Sequence, residues 1–224
     1  MGRFLTALMG LFAGAQQSPQ PEVQVIDPRT LLYSMSTIAD EMAPIEPMSA
    51  QPAADDILLH EDEWRQIEFF PASQIEDVRR TLTELASFEA ANRTDQGFFR
   101  QVYIRRLPPP VPVAGANGVA ELARELGAEA GPGVVFFTGQ AVVGRVAGGF
   151  TLRLPGNVVL YGFADPRGIM ALGANVGDGG DHTALTRAFM TLNRGRRLIA
   201  VDWRAHLMLV EVSAAGQIEI WRPD

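Results

Sequence analysis

Apolar positions recur along this chain with two different periods. Between residues 71 and 88, Ile75, Val78, Leu82, Leu85 and Phe88 fall on one face of a 3.6-residue helix. Ser73 and Glu76 stand at the spacing of a capping box, and Glu76, Arg80 and Glu84 are spaced to pair along the opposite face. A second helix is predicted from Asn117, as cap, to Gly127 at its C-terminal end, with Val119, Leu122 and Leu126 inward. From residue 133 the period shortens to two. "GVVFF", "AVVGRV", "FTLRL", "VVLYGF" and "IMALGANV" are short β-rich runs separated by "AGG", "PGN" and "DPRG". In "FTLRL", Phe150, Leu152 and Leu154 alternate with Thr151 and Arg153, so one face is wet. Asp165-Pro166-Arg167-Gly168 has Pro and Gly where a type I turn accepts them. Gaps this short leave no room for crossover helices, so the runs read as an antiparallel meander. A third helix is predicted from Asp181 to Asn193, with Leu185, Ala188, Phe189 and Leu192 inward. "LIAVDW", "HLMLVEV" and "QIEIWR" close the chain as strands, with "SAAG" as a turn. The predicted fold class is α+β: a mostly antiparallel sheet, a meander in the C-terminal half, and helices packed on one face.

The first 54 residues read differently. Leu5, Leu8, Met9 and Phe12 make one apolar stripe in residues 1–15, the pattern of a short helix that docks or lies on a surface. A second reading is an export signal ending at Ala13-Gly14-Ala15. Either way the segment is too short to span a membrane as a helix. The first reading places the protein in the cytoplasm, the second outside it. Asp27-Pro28 forms a helix start, and Leu31, Met35, Ile38 and Met42 continue along one face. Residues 44–56 are rich in Pro and Ala and read as a linker. "DILL" and "RQIEFF" then read as strands. The expected organisation is a helical segment and linker over 1–54, followed by a single α+β domain over 55–224.

Composition narrows the chemistry. All 19 basic residues are arginine, and the net charge is −7. The lack of lysine, with abundant Ala, Gly and Pro, points to a GC-rich bacterial genome, and it removes Schiff-base and P-loop lysine chemistry. An acidic chain repels phosphate backbones, so nucleic acid is not an expected partner. There is no cysteine, which removes thiol catalysis, disulfides and thiolate metal sites. Three histidines, His60, His182 and His206, limit any histidine metal site.

Four stretches could carry chemistry. "HEDEW" (60–64) holds a histidine and three acids, but consecutive residues on extended chain point to opposite sides, so Glu61, Asp62 and Glu63 do not converge on a cation. It reads as a polar turn before Trp64, a packing anchor. Each tryptophan is followed by an arginine (Trp64-Arg65, Trp203-Arg204, Trp221-Arg222), read as three strand positions with the ring inward and the charge outward. In "DWRAH", Asp202, Arg204 and His206 would share one face of a strand, which could supply a base, an anion clamp and an orienting acid. "GANVGDGGDH" (173–182) is a glycine-rich loop ahead of a helix, with Asp181 as N-cap. It lacks the sequence of a Walker A or dinucleotide loop, and Asp178 and Asp181 would repel phosphate. The expected function is a non-enzymatic protein-binding factor of inhibitor, accessory or immunity type. Asp178, His182, Arg204 and His206 are its candidate surface. No metal or cofactor is expected. The alternative is a small-molecule binder or enzyme using the 173–182 loop with Asp202, Arg204 and His206.

Overall fold

The computed structural model describes residues 31–139 and 141–223. The chain runs β1 (Thr37–Ala39), β2 (Ile45–Glu46), β3 (Leu58–His60), β4 (Ile67–Pro71), α1 (Ile75–Asn92), β5 (Tyr103–Arg105), β6 (Val113–Ala114) and α2 (Gly118–Leu126). It continues β7 (Glu129–Pro132), β8 (Val135–Thr138), β9 (Ala141–Val146), β10 (Gly149–Leu154), β11 (Val158–Asp165) and β12 (Gly168–Val176). It closes with α3 (His182–Arg196), β13 (Leu198–Asp202), β14 (Leu207–Val212) and β15 (Ile218–Trp221). A nine-stranded sheet has the order β15-β14-β13-β4-β12-β11-β10-β7, with β6 beside β12. Its pairs are all antiparallel. A four-stranded sheet, β2-β9-β8-β3, and a parallel pair, β1-β5, complete the α+β architecture. The expected meander β10-β11-β12 is present, with Leu152 opposite Leu160 and Leu160 opposite Ala174.

The helices cover both faces of the large sheet, not one as expected. Leu198 and Ala200 of β13 pack with Ala188, Phe189 and Leu192 of α3 and Leu122 of α2. Ile199 and Val201 of the same strand pack with Val78, Leu82 and Leu85 of α1. A strand buried on both sides has no wet face, which is why "LIAV" is continuously apolar. On the α1 side, Tyr161 and Ala171 of the sheet meet Leu59, Trp64, Phe136 and Val146, so the small sheet shares that face with α1.

Helix ends show which local signals held. Asp181 caps α3, accepting from the Thr183 amide at 2.8 Å. Gly127 ends α2 in the left-handed conformation, φ 61°. The Ser73/Glu76 capping box does not form. A single 3-10 turn over Ala72–Gln74 carries the coil backward from α1, so Gln74 occupies the cap position and no side chain caps the helix. The charge pairs on α1 are Glu76–Arg79 and Asp77–Arg80 rather than a Glu76–Arg80–Glu84 ladder.

The segment before residue 55 needs the largest correction. Residues 1–15 and the helix start at Asp27-Pro28 lie outside the described residues. The predicted helix does not continue through Ile38: Thr37–Ala39 is a strand, parallel to β5. Thr37 and Ala39 are buried and Ile38 lies between them on the other side, a period of two. The cause is non-local. β5 offers an open backbone edge, and Thr37 Oγ1 donates to the Tyr103 carbonyl at 2.9 Å. Ile45 and Glu46, inside the expected linker, pair with Val146 and Arg145 of β9. Leu32–Asp224 thus form one compact unit. No helix among the described residues is long and apolar enough to cross a membrane.

Asp56 fastens this segment to the small sheet. Arg145 donates to both of its carboxylate oxygens at 2.8 Å. That hydrogen bonding holds the Asp56 carboxyl below its ordinary value. A lowered folded pKa contributes stability above the ordinary carboxylate value of about 4 and loses it as pH falls through the folded value. Asp56→Asn is therefore expected to lower the urea midpoint at pH 7 and to matter much less at pH 3. An equal loss at both pH values would show that the ion pair is not its cause.

Candidate functional site

The end of β4 leaves an opening in the large sheet. β4 pairs with β12 only at Ile67 and Glu68, and with β13 from Ile67 to Pro71. Before Ile67 the chain turns away, because Arg65 is left-handed at φ 59°. Asn175 and Val176 of β12 and the turn after β13 therefore have no strand between them. A cleft of about 340 Å³ fills the gap, walled by Glu63, Gln66, Asn175, His182, Asp202 and Arg204 among others.

Each wall has a local cause. Asp202 Oδ1 accepts from the amides of Arg204 at 3.0 Å and Ala205 at 2.9 Å. This carboxylate closes the turn from β13 to β14 and presents Arg204, which is exposed and donates no side-chain hydrogen bond among the described residues. His182 is the first residue of α3, placed there by the Asp181 cap. Gln66 is 5% exposed, and its Nε2 donates to the carbonyls of Thr37 at 2.9 Å and Asp62 at 2.8 Å. Those two bonds fix the amide, and Oε1 is left buried without a donor. Gln66 and Arg204 also line a polar depression of about 230 Å³ with Glu89, Arg93 and Phe99, so they form the sill between two hollows.

The predicted site residues separate. Asp202, Arg204 and His206 do not share a strand face, because β13 ends at Asp202 and His206 sits in a turn at φ 50°. His206 Nε2 instead lies 2.9 Å from Glu89 Oε1 on α1, without the geometry of a hydrogen bond. His182, Asp202 and Arg204 do meet in the cleft. Asp178 is exposed and does not line the cleft, and its carbonyl accepts from Asn157. The 173–182 loop is shorter than expected, since Gly173–Val176 belong to β12. Gly173 is required there by packing, not by a ligand: a Cβ would stand 2.8 Å from the Tyr161 ring.

The "HEDEW" stretch is one 3-10 turn that joins β3 of the small sheet to β4 of the large one. His60 Nδ1 accepts from the Asp62 amide at 3.3 Å, and its ring meets Phe137 edge-on. No three acids or histidines are grouped to hold a metal among the described residues. Trp64 is a buried anchor against Phe136 and Tyr161, as expected, but it ends the 3-10 turn and does not lie on a strand. Trp203 also lies off a strand, and Arg65 turns inward rather than outward. Gln66 was missed by sequence reasoning, and Glu63 and Asn175 were read only within their own stretches. Only a long-range turn brings them together, and no periodic signal marks them.

No family model matches the chain, and neither a curated protein nor a solved structure matches it.

Proposed function

We propose that the protein is a non-enzymatic protein-binding factor of a bacterial cell and that a partner docks over this cleft. The observation that carries the reading is Arg204, an exposed guanidinium without a side-chain partner among the described residues, held at the cleft by a turn that Asp202 closes. A pre-positioned cation beside amide and imidazole groups suits a partner carboxylate or an exposed backbone carbonyl. Covalent catalysis is less well supported. The lining carries no hydroxyl or thiol, and of its two carboxylates, Glu63 and Asp202, the second is engaged by two amides. In this reading the protein works in the cytoplasm. Its volume also allows a small polar ligand, which is the second reading.

The double variant His182→Ala, Arg204→Ala changes two exposed residues, so stability is expected to stay within about 0.5 kcal/mol per site. Capture of a stoichiometric partner from native lysate is expected to be lost. A turnover found in a hydrolase and transferase screen and lost in the same variant, with no partner recovered by the wild type, would sink the binding reading.

A further inference from the structure

On the opposite side of the 61–66 turn lies a second, separate site. Arg65, Glu68 and Arg105 come together between the small sheet and α1. Glu68 is 1% exposed and Arg105 3% exposed. Both Nε and Nη2 of Arg65 reach Glu68 Oε1, at 2.6 and 2.5 Å. That pair is neutral. Arg105 has no ionic partner of its own within reach among the described residues. Its Nη1 donates to Thr37 Oγ1 at 3.1 Å and its Nη2 to the Arg65 carbonyl at 2.9 Å. Its guanidinium stacks 4.9 Å over the Trp203 ring. The buried cluster thus holds two cations and one anion. Burial pushes the Arg105 guanidinium down to about 10, while Glu68 opposes the fall and Arg65 adds to it. An unbalanced buried cation is costly, and a neutral acceptor, a carbonyl and a ring compensate it only in part.

The backbone here is held in an uncommon form. Arg65 is left-handed, and its amide donates to the Tyr161 hydroxyl at 2.9 Å. Such conformations persist where the surroundings enforce them, and they cluster at functional sites. A cavity of about 110 Å³ opens onto all three charged residues, with Phe163, Met170, Leu107 and Pro110 as its apolar wall. This is more than one water needs. At the mouth, Asp40 faces Arg106 at 3.5 Å, and Glu41 is exposed. Solvent screens those mouth charges far more than the floor.

We infer that this cavity binds a short-chain organic monocarboxylate, its carboxylate on Arg105 and its apolar stem against Phe163 and Met170. A guanidinium in a sheltered cavity recognises a planar carboxylate through its remaining N–H groups. The apolar wall favours an organic stem over an inorganic anion.

The test is thermal unfolding of the full chain with sodium propionate and with sodium chloride at equal ionic strength. It is run on the wild type, Arg105→Gln and Phe163→Trp. Propionate is expected to raise the wild-type Tm saturably, by about 3–6 °C at ten times its Kd, and chloride is not. Both variants are expected to lose the rise. Phe163→Trp keeps every charge and only fills the cavity, so it decides the matter if Arg105→Gln does not fold. No saturable rise in the wild type overturns the proposal. An equal rise with chloride overturns the carboxylate class. An undiminished rise in Phe163→Trp places the binding elsewhere and overturns the site.

Discussion

Replacing Glu68 with alanine is expected to destabilise the fold by about 3–5 kcal/mol, the loss typical of breaking a buried ion pair from one side. Among the described residues Glu68 is the only carboxylate in ion-pair contact with either guanidinium, and it is almost wholly out of water. It sits in mid-sheet, opposite Val201 of β13 and Gly173 of β12. Without it, the Nε and Nη2 donors of Arg65 lose their acceptor, and Arg105 faces the like charge of Arg65 with no anion to offset it. Glu68→Gln keeps an acceptor of the same shape and should cost less than the alanine change. Urea unfolding of the three proteins checks this ordering. A loss below about 1 kcal/mol for alanine would show that the arginines reach solvent when their partner is removed.

Trp203→Ala is expected to cost about 3–5 kcal/mol, the range for removing a large buried aromatic ring. The ring is fully buried. It meets Phe70 edge-on at 6.1 Å and packs in the cluster that joins α1 to β4, β13 and β14. It also carries the Arg105 guanidinium on its face, a contact worth about 0.5–2 kcal/mol. Its Nε1 has no hydrogen-bond partner among the described residues, so Trp203→Phe forfeits no hydrogen bond to them and should be much milder than alanine. The urea midpoints of both variants decide the point. If phenylalanine were as damaging as alanine, burial of an aromatic ring would not be what Trp203 contributes.

Some of this molecule was legible along the chain because its causes are local. The inward faces of α1 and α3 follow from apolar spacing, and the Asp181 cap and the Gly127 ending follow from backbone groups only a few residues away. The β10-β11-β12 meander was equally readable, since strands with short gaps between them pair with their neighbours. The "LIAV" run even held the clue that β13 is covered on both faces, although alternation in "FTLRL" had suggested a sheet with helices on one side. Other features depend on what arrives from far away. Ile38 sits at helical spacing with Met35, yet the open edge of β5, 66 residues on, makes Thr37–Ala39 a strand. Spacing of two put Asp202, Arg204 and His206 on one face, but the Asp202 carboxylate closes a turn that sends Arg204 to the cleft and His206 to Glu89. Nothing in "WRQIE" and "YIRR" shows that their charges will share a buried pocket. Periodicity records how a segment lies against the core. Which edge it completes, and which buried charge it must answer, is decided by segments that meet only when the chain has folded.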